Sequence, residues 1–327
     1  MSKIKTIGVL TSGGDAPGMN AAIRAVVRAG IYHGYKVMGI KRGYTGLISG
    51  EMEELSLRTV SGIIQRGGTF LKTSRCPEFN TEKGIQKAVS MCKVFGIDII
   101  VVIGGDGSYR GALDLCKAGV PVIGIPGTID NDIACTDYTI GYDTALNTVS
   151  EALDKIKDTG YSHERASVLE VMGRHAGYIA INTGIAGGAE VILIPEKPVD
   201  FEKDVIKPIL EGRNRGKTDF SIIVAEGVEK DVPEIAQMIE ERTGITTRYT
   251  ILGYIQRGGT PTVNDRVMAS RMGVKAVKVI HKGLINRVIA YKDGKIVDYD
   301  LEEAINQTKS VDEEILEMLE MERILSL

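Results

Sequence analysis

Residues 126–132 read "PGTIDND", which sets Asp130 and Asp132 one residue apart at the end of the apolar run "VPVIGI". In an extended segment, residues two apart face one side, so both carboxylates are expected to project together while Asn131 points away. Two carboxylates so placed do not both ionise cheaply without a cation. The chemistry this suggests is proton abstraction from a substrate hydroxyl by Asp130, with Asp132 and Asp106 favouring a divalent cation nearby. An Asx-rich turn with solvated carboxylates is the plainer alternative. Two glycine loops offer something for such groups to act on. "TSGGDAPGMNAAIR" places Gly13, Gly14 and Gly18 ahead of a helix expected from about Pro17, and "IGGDGSYRGALDLC" places Gly104, Gly105 and Gly107 ahead of one expected near Ser108. Glycines let the main chain approach an anion closely, and the free N–H groups of a helix start add positive field, so phosphate is the natural guest. The first loop is not a P-loop, because Met19 and Asn20 stand where lysine and Ser/Thr are needed. No GxGxxG occurs either, which removes the main support for dinucleotide redox chemistry. Asp106 is read as a ligand for a hard cation, or else as a helix-capping residue.

The elements that must position these residues are short Val/Ile-rich runs, each followed by a glycine-bearing turn and a helical stretch: "KTIGVL", "KVMGI", "IDIIVVIGG", "VPVIGIPG", "ASVLEVMG", "AEVILIP", "FSIIVAEG" and "TILGYIQRGG". Continuous apolar strands alternating with helices indicate an α/β protein, doubly wound about a parallel sheet. Ligands then bind beyond the carboxyl ends of the strands, where the glycine clusters fall. Asp293-Gly294 between two alternating runs signals a hairpin, and "VDEEILEMLEMERIL" a short amphipathic helix with methionines for packing. The pentapeptide "QRGGT" occurs at 65–69 and again at 256–260, which reads as shared turn chemistry rather than duplication. With 327 residues, 43% hydrophobic and 25% charged, the chain can bury the core of two lobes. A net charge of −3 with mixed signs gives no reason for nucleic acid or an anionic membrane as bulk partner. The cysteines Cys76, Cys92, Cys116 and Cys135 show no metal-binding spacing, and no apolar stretch reaches a membrane span, so a cytoplasmic enzyme or sensor is expected.

Taken in order, "TSGGDAPGMNAAIR", "QRGGTFLKTSRCPEF", "GGDGSYRGA", "PGTIDNDI", "GYDTALNT", "SHERASVLEVMGRHAGYIA", "GGAE", "AEGV" and "LGYIQRGGTP" make the chain resemble the bacterial ATP-dependent 6-phosphofructokinases, from about residue 3 to about residue 300. The resemblance implies transfer of the ATP γ-phosphoryl group to the 1-hydroxyl of fructose 6-phosphate. It implies two doubly wound, Rossmann-like domains with the active site in the cleft between them. The larger, ATP-binding domain would take residues 1–141 and 256–306, and the sugar-binding one 142–255 and 307–327. By position Asp130 is then the base, with Thr128 beside the transferring group, Arg174 near the sugar and Arg75 on the nucleotide phosphates. Gly14, Tyr44, Arg75, Cys76, Gly105, Asp106, Gly107 and Ser108 match the ATP side, with Mg²⁺ on Asp106 and Tyr44 near the adenine. Thr128, Ile129, Arg165, Met172, Gly173, Glu226, Arg248, Tyr254, Ile255, Gln256 and Arg257 match the sugar-phosphate side, three of them arginines suited to a dianion. Arg165 and Arg248 reach in from a neighbouring subunit in the family, which implies a homotetramer. Gly107 and Gly127 fit ATP use, because pyrophosphate users carry Asp and Lys there, where a side chain would fill the place of the α-phosphate.

The chain departs from the family pattern at named places. Tyr254 stands where a histidine is common near the sugar phosphate; it keeps a donor but cannot become cationic near neutral pH. Arg24, Arg28, Arg215 and Lys217 match the cations of an effector site for nucleoside diphosphate or phosphoenolpyruvate, with Glu190 the carboxylate that helps hold magnesium and Gly188 beside it. There Lys157 replaces an arginine, Leu57 another arginine and Asp219 a histidine, so nucleoside diphosphate binding is expected and the response to phosphoenolpyruvate is left open. Weighed beside this reading are a pyrophosphate-dependent phosphofructokinase, a non-catalytic nucleotide-sensing subunit, and the lipid and NAD kinases that also carry GGDG. The last group leaves Arg165, Arg248 and Arg257 unexplained.

Overall fold

The computed structural model describes residues 4–307, 309 and 313–325. The chain divides into two compact units. The first takes the chain up to Ile129, then Ile133–Thr144 and Arg257–Lys309; the second takes Asp130–Asp132, Ala145–Gln256 and the C-terminal helix.

In the first unit the order is β1 (Thr6–Thr11), α1 (Met19–Tyr32), β2 (Lys36–Ile40), α2 (Tyr44–Ser49), β3 (Met52–Glu54), α3 (Glu82–Phe95), β4 (Ile99–Gly104), α4 (Asp106–Lys117), β5 (Val122–Thr128) and β6 (Ile140–Gly141), followed by the first turn of α5 (Tyr142–His163). β1 and β4 are buried at every position, because helices cover both faces of the sheet. The parallel strands run β5-β4-β1-β2, and the direction of winding reverses between β1 and β4. That reversal opens a crevice at the carboxyl ends of the two strands, where the loops after Thr11 and Gly104 emerge.

In the second unit β7 (Ala166–Val171), α6 (Tyr178–Gly187), β8 (Val191–Leu193), α7 (Lys207–Asn214), β9 (Phe220–Ala225), α8 (Val232–Thr243) and β10 (Thr247–Ile251) build a wholly parallel sheet of order β10-β7-β9-β8. The chain then returns to the first unit as α9 (Val263–His281), β11 (Arg287–Lys292), β12 (Lys295–Asp300) and α10 (Leu301–Asn306). The Asp293-Gly294 hairpin is present, both residues left-handed as a two-residue turn requires. The tail forms α11 (Glu313–Leu325), with Ile315 and Leu319 buried one turn apart; residues 311 and 312 of the expected helix lie outside the described residues. Within the helix Met321 is exposed rather than packed.

Several local expectations need correction. α1 begins at Met19 rather than Pro17, and α4 at Asp106 rather than Ser108, so Asp106 occupies the first helical position. β10 ends at Ile251 and "GYIQR" is a 3₁₀ turn, not strand. In the first turn of α5, Thr144, the last residue of the first unit before α5 passes to the second, donates through both its N–H and its hydroxyl to Asp265 of α9.

Candidate functional site

The first unit assembles three loops at the carboxyl ends of β1, β4 and β5. A methyl group placed on Gly104 would stand 2.5 Å from both the Ser12 carbonyl oxygen and Ser108 Oγ, so the loop after β4 lies directly on the loop after β1. Gly13 faces Ser108 Oγ at 3.3 Å by the same measure, and Gly105 faces Thr128 at 3.7 Å. Gly107 faces open space. Behind them, Thr11 is fully buried and pairs its hydroxyl with that of Thr69 at 2.8 Å, while Thr73 donates to the Gly13 carbonyl at 2.8 Å. Thus segment 69–75, which ends on Arg75, is fastened along the first glycine loop. Gly14, Gly105, Asp106, Gly107, Ser108 and Thr128 therefore lie together in one unit, with Arg257 among them: its guanidinium carbon lies 3.3 Å from where a Gly14 side chain would begin.

Not every expected residue faces outward. Tyr44 is 6% exposed, stacks on Phe79 with centroids 4.0 Å apart, and donates its hydroxyl to the Ser108 carbonyl at 2.6 Å. Its ring packs, and its phenol, pushed up by burial, stays neutral. Cys76 starts the 3₁₀ turn Pro77–Asn80, and the Ile129 side chain is buried. Asp106 accepts from Arg110 Nε at 2.9 Å, one helical turn on. No cluster of three or more metal-ligating side chains exists among the described residues. One carboxylate beside open space fits a magnesium ion that arrives with phosphate ligands, and does not fit an all-protein cage.

The extended geometry expected for "IDND" is wrong. Asn131 is left-handed, with φ 51°, and buried, so the alternation that would set Asp130 and Asp132 on one face breaks at that residue. The steric reason given for Gly127 also changes. A side chain there would meet Ile103 Cγ2 at 3.1 Å and Met19 Cε at 3.2 Å, so core neighbours would have to give by a few tenths of an ångström to admit it.

At the carboxyl ends of β7, β9 and β10 the second unit builds its own cradle. Arg174 is exposed and left-handed at φ 59°, a conformation disfavoured for a side-chain-bearing residue. Glu226 holds it there: one carboxylate oxygen accepts from the main-chain N–H groups of Arg174 at 2.7 Å and Gly173 at 3.3 Å. Gly227 backs the Arg174 carbonyl so closely that a methyl group would stand 2.4 Å from it. Gln256, wholly buried, accepts from Met172 N–H at 3.1 Å and donates to the Gly253 carbonyl at 3.0 Å. Glu170 nearby is pushed up by burial, then by Glu226 and Asp231. Arg165 keeps a buried Nε with no hydrogen-bond partner among the described residues, an unsatisfied donor suited to an anion. On the edge strand β10, Arg248 is exposed, followed by Tyr254, 80% exposed, and Ile255, 58%.

The effector candidates divide likewise. Arg24 and Arg28 sit one turn apart on α1; burial first and Arg28 second lower Arg24, which stays cationic. In the second unit Lys217 pairs with Glu190, whose other oxygen accepts from Ser221 N–H at 2.6 Å. Lys157 donates to the carbonyls of Gly187 and Gly188. Arg215, Glu190 and Arg323 of α11 line a cavity of about 260 Å³ along β8; Asp219 is not among its lining residues.

Reading the sequence missed Asp265. It is fully buried in α9 and accepts from Tyr138 Oη at 2.6 Å, Gly141 N at 2.7 Å and Thr144 N at 2.9 Å, as well as from the Thr144 hydroxyl. Gly141 and Ile140 in turn pair with Thr128 and Gly127, so this carboxylate braces the end of β5. The available signal was "TVND", a Ser/Thr-x-x-acid helix start.

Residues 6–280 match the phosphofructokinase family model, "Phosphofructokinase". The chain belongs to the phosphofructokinase family. It is 58% identical, over 96% of its length and 98% of the relative's, to an ATP-dependent 6-phosphofructokinase of Clostridium botulinum, and 55% identical over the same shares to one of Alkaliphilus metalliredigens. Among solved structures, phosphofructokinase from Saccharomyces cerevisiae superposes with a TM-score of 0.88 at 37% identity, covering 98% of this chain and 48% of that one, so this chain spans about half the yeast polypeptide. A pyrophosphate-dependent phosphofructokinase from Marinobacter aquaeolei shares the fold, with a TM-score of 0.84 at 23% identity.

Proposed function

We propose that this phosphofructokinase transfers the γ-phosphoryl group of ATP to the 1-hydroxyl of fructose 6-phosphate, giving fructose 1,6-bisphosphate and ADP. The observation that carries the reading is the convergence of three glycine loops at the β1/β4 reversal, with Gly107 open and Thr128 beside Gly105. Such a surface offers main-chain N–H groups and cations to a polyphosphate, and phosphoryl transfer demands positioning and charge neutralisation more than covalent chemistry. Near-full-length likeness to curated ATP-dependent relatives favours ATP over pyrophosphate.

On this reading Asp130 takes the hydroxyl proton, while Thr128 and Arg75 face the phosphates. Asp106 would hold Mg²⁺, which would supply charge neutralisation at the phosphates; Arg110, donating to that carboxylate at 2.9 Å, directs it. Arg174, set by Glu226, and Arg257 serve the sugar phosphate. Arg165 and Arg248 serve that of a neighbouring subunit, which makes the working form a homotetramer; the exposed apolar side chains Tyr249 and Ile251 on edge strand β10, and Ile255 in the turn after it, support such a contact. Arg24, Arg28, Lys157, Gly188, Glu190, Arg215, Lys217 and Asp219 would form a separate nucleoside diphosphate site. No helix among the described residues is long and apolar enough to cross a membrane, in keeping with a cytoplasmic enzyme.

The test is a coupled assay with ATP, magnesium and fructose 6-phosphate on wild type and Asp130→Ser. Loss of a general base should lower kcat by about 10²–10⁴-fold while both substrates still bind. Turnover that survives the substitution, or that runs faster with pyrophosphate than with ATP, defeats the assignment.

A further inference from the structure

The pentapeptide that recurs in the sequence meets itself in the fold. A methyl group on Gly67, in the first QRGGT, would stand 2.2 Å from the carbonyl oxygen of Gly259 in the second, 3.0 Å from its carbonyl carbon and 3.2 Å from its nitrogen. The two turns are therefore in main-chain contact with no room for a side chain between them. Gly67 is not left-handed, so its need for glycine comes from that contact and not from its own backbone.

The first turn is held from two directions. Asn20 of α1, 2% exposed, donates through Nδ2 to the carbonyls of Arg66 at 3.0 Å and Gly67 at 3.3 Å, and its Oδ1 accepts from Phe70 N–H at 2.6 Å. Thr69 is tied to Thr11 at the end of β1. The second turn carries Arg257, whose guanidinium lies on Gly14. A rigid chain of contacts thus runs from α1 through Asn20, Gly67 and Gly259 to Arg257.

We infer that the first QRGGT turn is a positioning element for Arg257: Asn20 and Gly67 fix the main chain of the second turn, and so set where the guanidinium meets the phosphate of the sugar. This rests on the proposed role of Arg257 toward a dianionic sugar phosphate. An arginine placed through backbone contact tolerates little displacement, because shifts near 1 Å already lose productive geometry.

The experiment is a double-mutant cycle on the full-length enzyme with Gly67→Ala, Arg257→Ala and both together, reading half-saturation for fructose 6-phosphate and for MgATP alongside kcat. Gly67→Ala should raise the sugar half-saturation about tenfold and leave kcat and MgATP half-saturation within about twofold. In the Arg257→Ala background it should add nothing, since the group it positions is gone. Should Arg257→Ala leave the sugar half-saturation unchanged, the assignment of Arg257 falls and this inference with it. Should Arg257→Ala raise it while Gly67→Ala is silent, or acts equally in both backgrounds, only the inference falls. A merely structural role would lower the thermal midpoint and shift both substrates together, which also overturns it. If Gly67→Ala does not fold, Asn20→Asp, which keeps the acceptor for Phe70 but loses both donors, gives the same cycle.

Discussion

The two units fix their functional loops by opposite means. In the first, a fully buried carboxylate, Asp265, braces the loops from behind, and glycines pack main chain on main chain in front. In the second, an exposed carboxylate, Glu226, holds a strained arginine by two main-chain hydrogen bonds. A buried clamp is structural, because removing it strands donors away from water; an exposed one can be lost to solvent at little cost and acts mainly on the geometry it imposes.

The widest gap should appear between Asp265→Ala and Glu226→Ala. The first removes the carboxylate that accepts from Tyr138, Gly141 and both donors of Thr144. It should destabilise by on the order of 4 kcal/mol, read as a lower urea midpoint. Glu226→Ala should lower stability by about 1 kcal/mol at most, yet weaken fructose 6-phosphate binding about tenfold in calorimetry. Equal stability losses would erase the contrast. Next in size is Arg174→Gly. Relief of the left-handed strain should raise stability by about 1 kcal/mol while turnover collapses, since the guanidinium goes with the strain. A variant no more stable than wild type would mean that Glu226 already offsets the strain in full.

How much of this was legible in the sequence follows the same division. The glycine loops could be read because Gly13, Gly104 and Gly107 interrupt Val/Ile runs that are unmistakable strands. The site surface of the first unit was thus nearly readable from one dimension. Asn131 was not: asparagine tolerates the left-handed region, but nothing in "IDND" dictates it, and the choice is made by tertiary packing. Nor could the sequence say that Gly67 touches Gly259, almost two hundred residues on, or that "TVND" turns its aspartate inward to Gly141 instead of back onto the helix start.

Acidification should treat the units alike. Burial raises Asp298 of the first unit, but Lys275 and Arg287 outweigh it; burial raises Asp204 of the second, but the Asp200 N–H, Lys197 and Arg323 outweigh it. Both carboxyls end below their ordinary range. A depressed folded value stabilises above the unfolded carboxyl pKa, about 3.9, and that contribution is lost as pH falls through the folded value. Asp298→Asn and Asp204→Asn should each lose about 1 kcal/mol at pH 7, with the deficit closing below about pH 3.9 in a melting series. A deficit that persists at low pH would assign the loss to packing. The smallest expected change is Tyr254→His, which should shift the apparent affinity for fructose 6-phosphate a few-fold without moving maximal rate. Superimposable saturation curves would make Tyr254 an equivalent neutral contact.

Gly107 and Gly127 look alike on paper and differ in the fold: open space stands before one, and Ile103 and Met19 press on the other. A lineage drifting toward another phosphoryl donor could accept any residue at 107 in a single step. At 127 a new side chain must also move Ile103 and Met19 by a few tenths of an ångström, so smaller neighbours at 19 and 103 would ease its arrival.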